Sequence, residues 1–483
     1  MTNDTPAYSG PPRLAAPHLV GIDTAGSGLP GLAQLLLERG ARVSGSTLND
    51  SDTTAELAKH GVRITHDHGP HLVRADMSCL VWSGRTTPTQ RTELERAEQM
   101  RVPTHHYPEA LAQLFHATNT TVAVAGSHST ASVAGMLTSA LGHLNPAWVL
   151  RTPLVRHGVG HHSGGDLLIA DLGEDGDLEE HATVSVVTAI AGAQPQHLGY
   201  ETLEELEGLA RRSETVVLPT WDRGTAELAA RLAEAPGPRV VTVGQVADAT
   251  IRVLCTRWDG RTTRLLLLDL DGNEHLLAVP LRGRHNAMAA ALAFAVGRVL
   301  GGGPVDLAEG IAEFPGVERS LTVLGRQGGV TVVDSIAHHP AELAGDLKAA
   351  RTLAGPRGRL IAVLEPTGWS DSVAYGNELG RQLAVADEAV LLPVHDLVGP
   401  AHPGADAGTD AIARSAAAGG LAGHLTTVDA RSDLLNGTVE QQIAAVARPG
   451  DVIAVIGSGH AARLGARLLF AIGAPAASIP TDL

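Results

Sequence analysis

The chain is expected to fold as an α/β protein built from three successive domains, and three observations carry that expectation. At both ends of the sequence, short apolar strand-like runs alternate with helical stretches, the pattern of a parallel sheet with helices on its faces. Two strands run directly into a small-residue turn that opens a helix, at residues 26–31 and 126–132. Between the alternating regions, residues 251–279 switch between apolar and polar side chains around Asp259-Gly260 and Asp271-Gly272, which reads as antiparallel hairpins. A length of 483 residues suffices for three full hydrophobic cores at about 150 residues each. The expected divisions are a disordered leader over 1–16, a Rossmann-like domain over 17–115, a central P-loop-type α/β domain with the hairpins over 116–315, and a Rossmann-like domain over 316–483.

In the first domain, residues 18–22 (HLVGI) form a buried strand, followed by Gly26-Ser27-Gly28-Leu29-Pro30-Gly31 and the apolar helix LAQLLLERG. A second strand covers 42–45, a third 79–83 (CLVWS), and a charged helix 91–100. In the second domain the strand TVAVAG (121–126) passes through Ser127-His128-Ser129 into a small-residue helix over 130–141. Strands at 167–171, 184–190 and 215–218 precede the hairpins, and a helix over 286–300 ends in Gly301-Gly302-Gly303-Pro304, a stop signal. In the third domain, strands at 330–333, 359–364, 389–393 and 452–456 alternate with helices, and the Gly/Ala-rich stretch 404–423 reads as loop plus a poor helix.

Composition narrows the function classes. Hydrophobic residues make up 44% and charged residues 18%, which excludes a disordered or fibrous chain. The formal net charge of −16 argues against nucleic-acid binding, which needs a basic surface to neutralise phosphates. Two cysteines, Cys79 and Cys255, cannot build a disulfide framework, and no run approaches the ~18 apolar residues of a membrane span. A cytoplasmic protein without membrane or nucleic-acid partners is expected. Only two of the 36 basic residues are lysines, Lys59 and Lys348, so lysine chemistry has two candidates.

The first turn, with Gly26, Gly28 and Gly31, suits a pyrophosphate seated on a helix N-terminus, where glycines let the backbone approach the anion. A nicotinamide dinucleotide would call for an acidic residue at the end of the second strand. That position reads Ser44-Gly45-Ser46-Thr47, so a nucleotide sugar suits the site better. The second turn has the outline of a nucleotide-binding loop, Gly126-Ser127-His128-Ser129-Thr130-Ala131-Ser132. Thr130 and Ala131 stand where such a loop needs a lysine on the phosphates and a hydroxyl on Mg²⁺; Ser132 offers a hydroxyl one place late. Glu174 and His197 are the candidate metal ligands. Asn286, beside His285, either caps its helix or reads an adenine edge. Asp334, His338 and His339 follow a buried strand, where α/β folds place ligands.

These landmarks, in this order, resemble the Mur ligase family, and within it the branch joining L-alanine to UDP-N-acetylmuramate. VGIDTAGSGLPGLA is similar to that family's glycine-rich VGIGGxGMSGIA, and VAVAGSHSTAS stands where the family has AGTHGKTTT. LIADLGEDGD lies at its AEADESD segment, GRHNAMAA at its HN helix start, and FPGVERSL at F-x-G-V-x-R-R. VVDSIAHHPAEL and LEPTGWS match the segments around HHPTE and F-Q-P-H-x-x-S. The resemblance implies a first domain for a UDP-sugar, with Gly26, Gly28, Gly31, Ser46 and Ser83 on that side. It implies a central domain for ATP, with His285 and Asn286 at the adenine, and a third domain carrying Asp334, His338 and His339.

The departures fall in the chemistry. The loop lysine and threonine are Thr130 and Ala131, the loop's second glycine is Ser129, one arginine of the Arg-Arg pair is Ser320, and Thr367 and Gly368 replace a His-Arg pair. The sequence therefore points to a catalytically impaired member of the family, with a binding or regulatory role and no assigned catalytic residue. The alternative is an active ATP-dependent amide ligase. ATP and Mg²⁺ are expected only if the chain is active; a UDP-sugar or another small molecule is the expected ligand, and no protein partner can be named.

Overall fold

The computed structural model describes residues 12–24, 26–48, 51–84, 86–173, 178–190, 203–259, 262–354, 357–395, 406–428 and 437–473. They form a mixed α/β structure with three sheets.

The first sheet is wholly parallel, in the order β3-β2-β1-β4-β5. Its strands are β1 (Pro17–Val20), β2 (Ser44–Ser46), β3 (Arg63–Thr65), β4 (Cys79–Trp82) and β5 (Thr104–His106). The chain leaves β1 toward β2 on one side and reaches β4 on the other, so the order reverses between β1 and β4. The crevice at a reversal of this kind is where open α/β sheets receive ligands.

The second sheet has ten strands: β6 (Thr120–Ala125), β7 (Ala147–Leu154), β8 (Gly158–His161), β9 (Leu167–Gly173), β10 (Ala182–Val187), β11 (Ser213–Pro219), β12 (Arg239–Gly244), β13 (Ile251–Trp258), β14 (Thr263–Leu268) and β15 (Glu274–Val279). The strands β13 to β15 pair antiparallel, as their alternating side chains imply. The strands β6, β9, β10 and β11 pair in parallel and are buried along most of their length.

The third sheet contains β16 (Thr322–Gln327), β17 (Val330–Ser335), β18 (Leu360–Leu364), β19 (Glu388–Leu391), β20 (Leu425–Thr427) and β21 (Val452–Ile456). Its order is β16-β17-β21-β18-β19-β20, parallel except for the edge strand β16.

Two compact units part between Val317 and Glu318, the first of them holding the first two sheets. One apolar cluster explains why the first two sheets share a unit. It runs from Leu32 and Leu36, through Tyr107 and Leu111, to Ala123, Leu168 and Leu172. The second unit packs apolar side chains on both faces of its sheet, Leu343 and Leu347 on one and Leu464 and Leu468 on the other.

The leader expected over 1–16 needs a correction within the described residues. Pro12–Leu14 forms a turn of 3₁₀ helix, and Leu14 is fully buried in the core of the first unit. Ala15 and Ala16 accept hydrogen bonds from the Arg42 and Ser78 amides. The proline pair masks an apolar anchor that a composition reading overlooks. The stretch read as a poor helix contains the α-helix Asp406–Ala416. No described helix is long and apolar enough to cross a membrane.

Candidate functional site

The glycines of the first turn separate into distinct roles. Gly28 precedes the helix Leu29–Glu38 with φ +73, and a Cβ there would lie 2.3 Å from the Tyr107 ring. Tyr107 passes through that gap to donate its hydroxyl to the Asp171 carbonyl at 3.2 Å. Gly31 lets the helix backbone meet the second sheet, since a Cβ would stand 2.5 Å from the Leu150 carbonyl and 2.6 Å from that of Val159. Gln34 and Glu38, on the same helix, accept hydrogen bonds from the amides of Gly160 and His162. Gly31 therefore serves packing between the sheets. Gly31→Ala is expected to lower stability by about 1–3 kcal/mol through overpacking against rigid backbone. Thermal unfolding measures this directly, and an unchanged midpoint would show that the helix can slide away. Gly26, at φ +68, faces Arg151, whose Nη2 lies 3.9 Å from a Cβ built at that glycine.

Ser46 is fully buried, and its hydroxyl is engaged inside the fold. It accepts from the Gly21 amide at 3.3 Å and donates to Glu93 Oε2 at 3.1 Å. Glu93, on the helix Pro88–Met100, also accepts from His18 Nε2 at 3.1 Å and His68 Nδ1 at 2.8 Å. Burial pushes the Glu93 carboxyl up, but the bonds from the two histidines outweigh it and hold the group below its usual range. Sequence reasoning gave His68 no role and missed Glu93, whose helix reads as a charged surface helix. Ser83, just after β4, stands at the strand-order reversal, and its buried hydroxyl has no partner within the described protein.

The second turn is pinned from below. The Gly126 amide donates to the Gly173 carbonyl at 2.9 Å, and the Ser127 amide to Ala189 at 3.1 Å. The Thr188 hydroxyl donates to the His128 carbonyl at 2.6 Å. At Gly126, φ is +141 and a Cβ would sit 2.5 Å from Thr188 Oγ1, so only glycine fits. Ser129 takes the left-handed conformation, φ +67, immediately before the helix Thr130–Ala140. A non-glycine residue there carries about 1 kcal/mol of backbone strain. His128 Nδ1 and Ser129 Oγ are 3.0 Å apart.

Thr130 is buried, and its hydroxyl lies against the carboxyl of Asp171 on β9. Ala131 and Ser132 are half-buried on the first turn of the helix. Asp171 is fully buried; Oδ1 accepts from the Gly173 amide at 2.9 Å. Burial pushes this carboxyl up, against the opposing pull of the Arg151 charge and the Thr130 hydroxyl. Arg151, from β7, donates through Nη1 to the Leu172 carbonyl at 2.7 Å. Its guanidinium spreads beside Gly173, where a Cβ would lie 2.5 Å from Nε.

On the helix Arg284–Val299, Asn286 is buried and donates through Nδ2 to the Arg282 carbonyl at 2.7 Å. Nδ2 is also 3.0 Å from His285 Nε2, and Oδ1 is buried with no partner. An acceptor held in this way suits an amino group on a flat heterocycle. Glu174 and His197 lie outside the described residues. Among the described residues no group of three His, Cys, Asp or Glu could hold a metal ion.

In the second unit, Asp334 is buried at the end of β17, both oxygens engaged by Arg319 at 2.7 and 3.1 Å. His338 and His339 turn to different tasks. His338 Nδ1 is 3.6 Å from Glu342, while His339 caps the helix Pro340–Arg351 by accepting from the Ala341 amide at 3.2 Å. Glu365, another residue that sequence reasoning missed, accepts the amides of Gly459, His460 and Ala461 at 2.9, 2.9 and 3.0 Å. Its carboxylate already occupies the N-terminal end of the helix Ala461–Gly473.

The UDP-N-acetylmuramate–L-alanine ligase of Streptomyces avermitilis is 33% identical over 470 residues, covering 95% of this chain and 98% of its own. The chain belongs to the Mur ligase family. A profile described as Mur ligase family, catalytic domain, matches residues 18–118, and one described as Mur ligase, glutamate ligase domain, matches 321–459. The corresponding Thermobifida fusca ligase is 33% identical over 479 residues, with 95% and 97% of the two chains covered. The crystal structure of UDP-N-acetylmuramate–alanine ligase from Thermotoga maritima superposes with a TM-score of 0.74 at 21% identity. It covers 94% of this chain and 98% of that one, and so shares the fold. Within the family, this member has Thr130 and Ala131 at the turn after β6, and the Arg151 guanidinium beside Gly173.

Proposed function

We propose that this Mur ligase is an active ATP-dependent ligase that joins L-alanine to UDP-N-acetylmuramate. The observation that carries the reading is its likeness to L-alanine ligases along nearly the whole chain, which leaves no domain of the reaction unaccounted for. Supporting it are the turn at 126–130, whose backbone keeps the shape of a phosphate cradle without the glycine, and the unfilled acceptor of Asn286 for an adenine amino group. The unpartnered Ser83 hydroxyl and the Gly26 turn suit the UDP-sugar side. An ATP-consuming synthesis of this kind belongs in the cytoplasm.

In this reading the muramyl carboxylate oxygen attacks the γ-phosphorus of ATP, and ADP leaves. The alanine nitrogen then attacks the carbonyl of the acyl phosphate, expelling inorganic phosphate and losing one proton. The N–H groups of the helix Thr130–Ala140 and its preceding turn face the phosphates. Gly126 holds that turn against the end of β9, and Asn286 orients the base. Magnesium would neutralise phosphate charge; no step of the reading runs through it.

A second reading, a ligand-binding member with impaired chemistry, rests on Thr130. Its hydroxyl lies against Asp171, and it has no charge for a triphosphate. The deciding measurement is ADP release by the full chain with ATP, Mg²⁺, UDP-N-acetylmuramate and L-alanine, with mass detection of the alanylated product. Turnover of about 1 s⁻¹ or faster, dependent on both acceptor and amine, is expected. Binding of an ATP analogue without turnover would install the second reading instead.

A further inference from the structure

A transferring phosphoryl group needs positive charge close by, because negative charge on its oxygens persists through the transition state. Neither lysine of this chain is near the turn in sequence, and Thr130 stands where the family motif has one. The first unit nonetheless brings the guanidinium of Arg151 beside Gly26 and Gly173.

Arg151 lies on β7, which pairs in parallel with β9, and β9 pairs with β6, the strand that feeds the phosphate turn. Its Nη1 is tied to the Leu172 carbonyl at 2.7 Å, which fixes the head group over the end of β9. On one side it spreads beside Gly173, the residue whose carbonyl holds the Gly126 amide. On the other side Nη2 is directed to Gly26, 3.9 Å from the position a Cβ would take there. Glycine on both sides, each with positive φ, leaves room for the guanidinium. An ordinary side chain at residue 173 would collide with it. The buried Asp171 carboxyl interacts with both this guanidinium and the Thr130 hydroxyl.

We infer that Arg151 is the cationic residue of the reaction, contacting the phosphoryl oxygens between the UDP-sugar turn and the ATP turn in place of a lysine at position 130. A guanidinium suits this role because it keeps its charge at every working pH and its planar fork matches phosphoryl oxygens. The assignment rests on the ligase reading for its substrates, and its test separates the two.

The test uses the full chain and the variants Arg151→Ala, Arg151→Lys and Arg151→Ala combined with Thr130→Lys. Two readouts are followed: binding of β,γ-imido-ATP with Mg²⁺ by calorimetry, and ADP release with UDP-N-acetylmuramate and L-alanine. Arg151→Ala is expected to lose about 100- to 1,000-fold in kcat. Its affinity for the analogue should fall about tenfold, and Arg151→Lys should retain an intermediate rate and guard against misfolding of the alanine variant. Restoring lysine at 130 in the Arg151→Ala background should recover part of both losses. Wild-type turnover with unchanged rates in both single variants overturns the assignment while the ligase reading stands. If the wild type binds the analogue without turnover, the ligase reading fails, and weaker binding by Arg151→Ala still upholds the residue as the phosphate contact. Tighter binding by Arg151→Ala would mean that the guanidinium fills the site, and it overturns the assignment, as does a wild type that binds no nucleotide.

Discussion

Replacing Arg319 with alanine is expected to destabilise the second unit by about 3 kcal/mol or more, the usual cost of leaving one member of a buried ion pair alone. The pair is bidentate, through Nε and Nη2 to the two oxygens of Asp334, and Nη2 also reaches the Gly457 carbonyl at 2.5 Å. Asp334 is 4% exposed, so water cannot replace the guanidinium. The same contacts tie the segment before β16 to the ends of β17 and β21, and the loss should spread beyond one loop. Arg319→Lys keeps the charge without the fork and should fall between wild type and Arg319→Ala. Adding Asp334→Ala to Arg319→Ala should cost less than the two single losses together, because the stranded charge is removed. Calorimetry of the full chain reads the wild type, the three single variants (Arg319→Ala, Arg319→Lys and Asp334→Ala) and the double variant. A loss below about 1 kcal/mol for Arg319→Ala would show that the pair contributes little, as exposed pairs do.

Asp346→Asn should stabilise the protein by an amount that grows as pH rises from about 4 to 7 and then stays. Asp346, on the helix Pro340–Arg351, is buried and accepts the Ser335 hydroxyl at 2.5 Å. Burial, reinforced by the nearby Glu342 charge, pushes its carboxyl from 3.8 up to about 7, although the Ser335 bond pulls the other way. The sign follows from proton binding. Below pH 4 both folded and unfolded chains hold the proton, and the group has no effect. From pH 4 to 7 the unfolded chain releases it while the folded chain keeps it, so stability falls as pH rises. Above pH 7 the full penalty remains, up to about 4 kcal/mol for a shift of this size. Asparagine stays neutral and still accepts from Ser335. Melting curves at pH 5 and pH 8.5 should show a larger gain for Asp346→Asn at pH 8.5. Equal shifts at the two values would mean that the carboxyl is not carrying the proton.

The strand-to-helix turn of the candidate site was legible because it depends on backbone shape. Gly126 and Ser129 adopt positive φ around a strand-to-helix turn, and the spacing of small residues announces such a turn without any partner. Asn286 could be read only as one of two things, and the structure shows its amide nitrogen bonded locally with its oxygen buried and unfilled. Ser46 and Gly31 mislead in sequence, because a serine or glycine near a ligand turn looks the same whether it faces a ligand or the interior. Glu93 and Glu365 were illegible for a related reason. Each is a carboxylate whose partners lie far along the chain, two histidines in one case and three amides in the other.

The strand–helix alternation at both ends of the chain and the antiparallel hairpins follow from the sequence alone, because hydrophobic period and turn chemistry act between near neighbours. The sequence also establishes that position 130 has no charge. What the tertiary structure decides is which distant residues stand beside that position. The pairing of β7 with β9, and of β9 with β6, brings Arg151 beside Gly173, whose carbonyl holds the Gly126 amide, while the close crossing at Gly31 joins the first two sheets in one unit. Strand order is fixed by packing summed over whole sheets, and that sum leaves no mark on any local run of residues.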